Sequence, residues 1–363
     1  MIHGVTEQMR DTQEVPSFVD LFSGVGGLSL GLQRAGWRPV AAIDHWKDAV
    51  HSYNANLADE VHSCHRVDVT DLASVLAVIP ERPDWVVGGP PCQGFSTVGR
   101  RDRGDVRNRL FLAYREVVGA LRPEGFVIEN VLGLKDMSFE RQVRQAFEDI
   151  GYTTTFQVVR AADVGVPQLR RRVVFVGQAN GGRFGPIPVS HPEGAWATAW
   201  DAIGDLPEVG PGETATLFDK APHTPLAKDL RNDADTLTSH TVSNHPPHLV
   251  EAISHIPDGG NRRSIPDRLQ PKSGFHNSYS RLASWKPAVG VTQNLGKPSA
   301  TRCIHPFQDR GLTAREGARL QTFPDTFDFR MGRTSQRLQI ANAVPPFLAE
   351  AIGRAILDEG GWI

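Results

Sequence analysis

The sequence lacks the features of a membrane protein, a disulfide-rich protein or a zinc protein. No apolar run approaches the roughly 18 residues needed to span a bilayer, and the polar start MIHGVTEQMRDTQEVPS has no signal-peptide pattern. The 3 cysteines, Cys64, Cys92 and Cys303, lie far apart without CxxC spacing. His62 and His65 flank Cys64 closely, but no second ligand pair accompanies them. We therefore expect a cytoplasmic protein with no metal site.

The chain also lacks a strong net charge. Its 39 Lys and Arg residues nearly balance 41 Asp and Glu residues, giving −2 at pH 7, which alone argues weakly against a nucleic-acid partner. The distribution is uneven, because residues 262–302 contain eight basic residues and one acid, whereas residues 192–235 contain nine acids and three basic residues. Such segregation is typical of a phosphate-binding surface, and a mixed solvated face is the alternative.

Glycine and proline are abundant, and the chain is long enough for two lobes. The 363 residues include 35 Gly and 26 Pro, which indicates many shaped loops. Over the first 180 residues, β-rich runs alternate with amphipathic helical patterns. The strands are SFVDLF, RPVAAID, DWVVGG, GFVIENV, TTTFQVV and RRVVFVG, and the helices are LFLAYREVVGAL and ERQVRQAFEDI. The pattern predicts an α/β fold with a doubly wound, Rossmann-like, mostly parallel sheet.

The amino-acid composition changes after the last of these strands. Residues 181–305 are rich in Pro, Gly, His and Asn and have few periodic segments. Helical pattern returns in TAREGARLQTF and PFLAEAIGRAILDE, which we expect to fold back onto the first lobe. The predicted organisation is a catalytic and cofactor-binding domain at 1–182, a smaller irregular recognition lobe at 183–305, and C-terminal helices at 306–363 that complete the first domain.

A glycine turn follows the first strand, in FVDLFSGVGGLSLGL at residues 18–32. Its glycines let backbone approach a ligand, and the helix that follows favours negative charge at its start. The GxGG spacing departs from the GxGxxG of dinucleotide binders. Asp44 ends the second strand, where a carboxylate accepts hydrogen bonds from ribose hydroxyls, and Asp68 ends the third, where one receives an amino group. These acids favour an adenosine ligand.

Asp20, on the first strand, decides between two adenosine cofactors. A carboxylate there repels a pyrophosphate but attracts a cation or an amine. S-adenosylmethionine, with its sulfonium and its amino group, therefore fits better than NAD. Phe22 is placed either to stack on the adenine or to pack in the core.

The stretch GGPPCQGFS, residues 88–96, holds a cysteine directly after two prolines. Pro90 and Pro91 restrict the backbone before the thiol, and the whole stretch follows the apolar run DWVV at a turn. A thiol that only fills a core is better placed inside an apolar strand. The position of Cys92 thus favours a chemical role over an inert buried thiol.

Five motifs together resemble a known family. FVDLFSGVGG, GGPPCQGFS, the ENV of FVIENV, VPQLRRR and IANAVP are similar, in order and spacing, to the signature of DNA cytosine-5 methyltransferases of the bacterial restriction–modification type. The resemblance implies the S-adenosylmethionine-dependent methyltransferase fold and methyl transfer to C5 of a cytosine flipped out of a specific duplex DNA sequence. It also implies that Cys92 adds to C6 of the ring, because C5 alone is too weak a nucleophile. Glu129, at a strand end, then supplies a proton to N3.

Arg170 and Arg172 lie two residues apart in VPQLRRRVVFVG. On an extended segment both side chains point to one face while Arg171 points to the other. The resemblance implies that they contact the flipped base, a phosphate or Glu129. The alternative is a basic strand edge that deters aggregation.

The remaining site predictions combine these patterns with the resemblance. Asn342 of IANAVP is implied to help bind the cofactor, and the arginine-rich segment TVGRRDRGDVRNRLF is implied to close over phosphates. The predicted cofactor residues are Asp20, Phe22, Gly24, Gly26, Gly27, Leu28, Asp44, Asp68, Pro90, Leu110 and Asn342. The predicted DNA-contact residues are Gln93, Ser96, Arg100, Arg101, Arg262, Arg263 and Arg281.

Other functions are consistent with part of the pattern. A transfer-RNA cytosine methyltransferase shares the catalytic signature but has a short recognition lobe, and an inactive DNA-binding homologue would have lost the thiol or the acid. A methyltransferase acting on an exocyclic amine needs no thiol. We expect duplex DNA as the partner, a monomer with no membrane association, and possible pairing with a separately encoded restriction endonuclease.

Overall fold

A seven-stranded sheet forms the centre of the fold. The computed structural model describes residues 15–91, 106–131, 137–272 and 277–360. The sheet has the order β3-β2-β1-β4-β5-β7-β6. Only β7 runs against its neighbours β5 and β6, so the sheet is mostly parallel, as predicted. The strands are β1 (Ser17–Leu21), β2 (Arg38–Asp44), β3 (Cys64–Arg66), β4 (Trp85–Gly88), β5 (Gly125–Val131), β6 (Thr153–Arg160) and β7 (Arg171–Gln178).

Helices cover both faces of this sheet. Those of the first 150 residues are α1 (Gly27–Arg34), α2 (Lys47–Asn56), α3 (Leu72–Ala77), α4 (Val106–Leu121) and α5 (Met137–Glu148). One apolar cluster joins Tyr114 and Phe147 to Phe126 of the sheet, and a second joins Leu32 of α1 to the sheet from the other side. The strands read as continuous apolar runs because both faces are buried.

Most of the predicted elements are present, with two differences. The third strand was expected to end at Asp68, but β3 ends at Arg66 because Asp68 begins a turn. Its carboxylate accepts hydrogen bonds from the backbone N–H of Thr70 at 2.9 Å and from the Thr70 hydroxyl at 2.8 Å. Helices α2 and α3 had not been predicted, because their apolar residues are too few to give a clear period.

The segment after β7 is irregular, as its composition indicates. Its helices are short: α6 (Ala199–Ile203), α7 (Pro225–Arg231) and α8 (Pro247–Ser254). One of its apolar clusters contains Ile253, Ile265 and Ile304, and another is shared with the helix after residue 305 through Leu206 and Leu320. The division at residues 183 and 305 stays a prediction.

The C-terminal helices return to the sheet. They are α9 (Ala314–Leu320), α10 (Arg333–Asn342) and α11 (Pro346–Gly360), and α11 packs against α1. Within the described ranges, one stretch, Arg333–Asp358, is long and apolar enough to cross a membrane by length and composition, and 61% of its most apolar window is buried in the fold. The apolar residues of its second half, in α11, pack against α1 and the sheet.

Candidate active site

A cavity of about 540 Å³ opens at one edge of the sheet, where β1, β2, β4 and β5 end. Because β7 runs antiparallel, its first residues lie at the same edge as the last residues of its neighbours. The turn after α10 closes another side. Ten predicted residues line this cavity: Asp20, Phe22, Gly24, Leu28, Asp44, Pro90, Glu129, Arg170, Arg172 and Asn342.

Four predicted cofactor residues that the structure describes, Gly26, Gly27, Asp68 and Leu110, do not line the cavity. Asp68 is exposed and Leu110 is half-buried in α4, and neither is among the residues that line it. Gly26 and Gly27 pack against protein instead, since a Cβ on Gly27 would lie 2.1 Å from the carbonyl oxygen of Val344. Cys92, Gln93, Ser96, Arg100 and Arg101 lie outside the described residues.

Glu129 is a buried acid at the end of β5. Its side chain is 9% exposed, and its carboxylate oxygen Oε1 lies 2.9 Å from Nε of Arg172. Burial raises the pKa of Glu129, while Arg172 and then Arg170 oppose the rise. Burial is the largest of these effects, because it disfavours the charged carboxylate, and the pKa of Glu129 is raised in balance.

The two cavity arginines flank this acid. Arg170 and Arg172 line the cavity while Arg171 is exposed, which confirms the predicted alternation. Burial, with the neighbouring Arg172, lowers the pKa of Arg170 to about 9, so it still carries its charge at neutral pH. The cavity therefore combines an acid with a raised pKa and two cations.

Asn130 ties the diproline turn to the strand that carries the acid. Its amide Nδ2 donates to the carbonyl oxygen of Pro90 at 2.7 Å. A Cβ on Gly89 would lie 3.7 Å from Oε2 of Glu129, so the turn passes directly beside the acid. The chain thus enters the segment that begins at Cys92 from a fixed position next to Glu129.

Asp20 presents an unsatisfied acceptor to the cavity. The residue is fully buried, and Oδ2 accepts a hydrogen bond from the Ser29 hydroxyl at 2.6 Å. Within the described part of the chain, Oδ1 has no hydrogen-bond partner. Burial raises the pKa of Asp20 to about 7. A buried carboxylate oxygen without a donor is costly unless a ligand supplies one, and an ammonium group would do so.

Asp44 holds the glycine turn in place. Its Oδ2 accepts from the backbone N–H of Gly24 at 2.8 Å, and its Oδ1 accepts from the backbone N–H of Trp46 at 2.8 Å. Each oxygen keeps a lone pair for a ligand hydroxyl. Gly24 has a φ of 55°, a left-handed conformation that glycine adopts without strain.

Phe22 packs in the core, as one of its two predicted roles requires, and it also lines the cavity, so that stacking on an adenine stays a prediction. Its core contacts lie between the sheet and α4. Its φ of 58° is unusual for a residue with a side chain, and such backbone strain clusters at functional sites.

The predicted recognition-lobe arginines differ in exposure. Arg263 is exposed, and Arg262 is half-buried and donates to the carbonyl oxygen of Pro271 at 3.0 Å. Both remain candidate DNA contacts.

Arg281 does not fit its predicted role. It is 3% exposed, and its guanidinium donates to four carbonyl oxygens and one carboxylate, those of Ile253, Ile256, His305, Gln308 and Asp309. Because these bonds engage all three guanidinium nitrogens, Arg281 holds the lobe together instead of reaching base edges. Positive charge in a sequence does not reveal burial, which is why the prediction failed.

The sequence interpretation also overlooked residues at the site. His45, Trp46 and Leu338 line the cavity, and the buried Gln321 lies behind Arg170. The helix that precedes Gln321 was recognised only by its apolar period. Its two arginines, Arg315 and Arg319, were the available signal, because charges within a predicted core helix indicate a buried polar network.

Strand order defines the class of fold. A mostly parallel seven-stranded sheet with one antiparallel strand is the fold of S-adenosylmethionine-dependent methyltransferases. The crystal structure of a protein encoded within an E. coli prophage has this fold, with a TM-score of 0.77 at 24% identity over 95% of this chain and 99% of that one.

Sequence comparison gives the family. The model for C-5 cytosine-specific DNA methylases matches residues 16–358, so the chain belongs to that family and is a DNA cytosine methyltransferase. Type II methyltransferase M1.HphI of Haemophilus parahaemolyticus is 38% identical over 94% of this chain and 86% of its own length. Type II methyltransferase M.DdeI of Desulfomicrobium norvegicum is 33% identical over 94% of this chain and 88% of its own length. The resemblance inferred from the five motifs is confirmed.

Proposed function

We propose that this enzyme transfers a methyl group from S-adenosylmethionine to C5 of a cytosine flipped out of a specific duplex DNA sequence, through a covalent bond between Cys92 and C6. The observation that carries the proposal is Glu129. A buried acid with a raised pKa lies beside the turn that leads into Cys92, on the same cavity as Asp20. One cavity therefore combines groups suited to a pyrimidine and groups suited to an amino acid cofactor.

The protein groups act in sequence on the base. The Cys92 thiolate attacks C6, the π electrons of the C5–C6 double bond form a double bond between C4 and C5, and the π electrons of the C4–N3 bond move onto N3. Glu129 donates its proton to N3, which neutralises the developing charge. Arg172, whose Nε is 2.9 Å from Glu129, stabilises the carboxylate left behind. After methyl transfer, the C5 proton passes to water, the C5–C6 double bond re-forms as the thiolate leaves C6, and N3 returns its proton to Glu129, which restores the enzyme.

The cavity fits the proposed cofactor. The unsatisfied Oδ1 of Asp20 suits an ammonium group, and Asp44 retains lone pairs for ribose hydroxyls. Phe22 offers a ring at the same wall. When bound there, S-adenosylmethionine supplies an electrophilic methyl group.

DNA is the proposed polynucleotide substrate. Extruding a base costs a few kcal/mol, which contacts to the base and the backbone must offset. Arg170 is proposed to face the flipped base. Ser96, Gln93, Arg100 and Arg101 are proposed to contact the DNA next to that base. Arg262 and Arg263 are proposed for the recognition lobe. We further propose a monomer that works in the cytoplasm, and a cognate restriction endonuclease as its counterpart.

Labelled cofactor distinguishes the substrates. Incubation with duplex DNA and with transfer RNA should label the DNA, and label on RNA alone would contradict the proposal. Bisulfite sequencing of DNA from cells that express the chain should then reveal one recurrent methylated cytosine context. Scattered or absent methylation would argue against a sequence-specific enzyme.

A further inference from the structure

Two buried glutamines connect the cavity to its surroundings, and the reaction steps above use neither. Gln168 and Gln321 are both 0% exposed. Nε2 of Gln168 donates to Oε1 of Gln321 at 2.7 Å and to the carbonyl oxygen of Leu320 at 2.5 Å. Oε1 of Gln168 accepts from the backbone N–H of Val291, in the predicted recognition lobe, at 2.9 Å. The two amides are thus directly bonded to each other.

Gln321 also forms hydrogen bonds with two chain segments that line the cavity. Its Oε1 also accepts a hydrogen bond from Nη1 of Arg170 at 3.2 Å. Its Nε2 donates to the carbonyl oxygen of Ile340 at 2.7 Å and to that of Ala343 at 3.3 Å. Ala343 belongs to the turn that closes the cavity after α10. One side chain therefore contacts the arginine beside Glu129 and the backbone of the turn after α10, two segments that both line the cavity.

Backbone bonds fix the recognition lobe to the same point. The N–H of Leu169 donates to the carbonyl oxygen of Ala288, and the N–H of Ala288 donates to that of Pro167, each at 2.8 Å. The segment just before Arg170 is therefore paired with the lobe segment that also bonds Gln168.

The amide orientations are determined by their partners. The oxygen of Gln321 faces two N–H donors, and its nitrogen faces two carbonyl acceptors. Rotating the amide by half a turn would place its nitrogen against two N–H donors and its oxygen against two carbonyl oxygens, leaving buried polar groups unsatisfied. The junction consequently has a single arrangement.

We propose that Gln168 and Gln321 are positioning residues that set the guanidinium of Arg170 relative to the cofactor-side turn and the recognition lobe. The inference rests on the proposed function, because that function places Arg170 against the flipped base. Reaction rates are sensitive to displacements of about 1 Å in such a group. Neither glutamine needs to touch the substrate for this role.

A double-mutant cycle tests it. Single-turnover methyl transfer to duplex DNA is measured at saturating cofactor and DNA for the wild type, Gln321→Met, Arg170→Ala and the double variant. Gln321→Met should slow transfer about tenfold or more in the wild-type background. It should slow transfer less than about twofold when Arg170 is already absent. A similar loss in both backgrounds would show a general packing role and overturn the inference.

Two further variants complete the experiment. Gln157 in β6 also bonds backbone through both amide atoms, to Gly185 and Ile187, but it does not line the cavity. Gln157→Met should therefore leave the rate within about twofold of wild type. If Gln321→Met fails to fold in a thermal melt, Gln168→Met takes its place in the cycle and decides the result. A wild-type rate for Arg170→Ala would contradict the placement of Arg170 against the flipped base, whereas a wild-type protein that transfers no methyl group to duplex DNA would contradict the proposed function itself.

Discussion

At the residue scale, the proposed chemistry depends on two carboxyl groups whose pKa values are raised by burial. Glu129 and Asp20 both have raised pKa values, yet their neighbours differ: Glu129 has two arginines, and Asp20 has a hydroxyl on one oxygen. Glu129 is suited to donate a proton to a base. Asp20 is suited to accept a hydrogen bond from an ammonium group.

Replacing Glu129 tests the proton donor. Glu129→Gln keeps the shape of the side chain but removes its acidic proton. Turnover should fall by about 10²–10⁴-fold, the range for loss of a general acid, while cofactor affinity changes little. Single-turnover assays and calorimetric binding of the cofactor measure the two effects. Turnover within about fivefold of wild type would contradict the role.

Asp20 should make cofactor binding depend on pH. Its pKa of about 7 lies above the usual 3.8, so the folded protein holds a proton that the cofactor must displace. Affinity should weaken as pH falls below about 7, by up to about tenfold per unit, in a range where an α-amino group (about 7.7–8.0) stays charged. Binding measured from pH 7 to pH 5.5 should show this slope, and Asp20→Asn should abolish it. An equal slope in both proteins would disprove the assignment.

At the scale of elements, several residues of the candidate site could be predicted from the sequence because they lie at or near strand ends, which apolar runs reveal. The runs RPVAAID and GFVIENV predicted β2 and β5 with their terminal Asp44 and Glu129. The alternation of Arg170 and Arg172 followed from strand geometry alone. What sequence did not reveal was tertiary burial. The guanidinium of Arg281 is buried and bonds to other groups of the protein. The contacts of Gln321 join segments that are distant in sequence.

The contact between α1 and the turn after α10 permits a test of a predicted cofactor residue. A Cβ on Gly27 would lie 2.1 Å from the carbonyl oxygen of Val344. Gly27→Ala should therefore destabilise the protein by about 1–3 kcal/mol and weaken cofactor binding, because Val344 lines the cavity.

A helical glycine elsewhere provides the control. At Gly119 in α4 an added Cβ would meet only Ile150, at 4.0 Å. Gly119→Ala should gain about 0.5–1 kcal/mol from the lower entropy of its unfolded chain. Urea unfolding of both variants measures the difference, and a Gly27→Ala protein as stable as wild type would contradict the packing argument.

At the scale of the whole molecule, a buried ion network joins the irregular lobe to the C-terminal helices. Arg319 of α9 is 0% exposed and lies 2.5 Å from both Asp205, which follows α6, and Asp325. Asp205 also pairs with Arg231 at 2.7 Å. The network helps to explain why the lobe keeps one arrangement despite its short helices.

Replacing Arg319 should lower the free energy of unfolding. Arg319→Met leaves two buried carboxylates short of a partner, a loss of about 3–5 kcal/mol. The exposed pair Arg38–Glu81, with both side chains 52% exposed, is the matched comparison. Arg38→Met should cost no more than about 1 kcal/mol. Chemical denaturation of the two variants gives both values, and equal losses would show that the network is not a major support of the fold.

The covalent step is the central claim, and a mechanism-based trap measures it most directly. Duplex DNA carrying 5-fluorocytosine at the methylated position blocks the final loss of the C5 substituent, so an attacked base cannot leave the protein. With S-adenosylmethionine present, the wild type should form a denaturation-resistant protein–DNA adduct on a gel, with the bond mapped to Cys92 by mass spectrometry, and Cys92→Ser should form none. Full methylation of normal DNA by a wild-type enzyme that never forms this adduct would contradict the proposed mechanism.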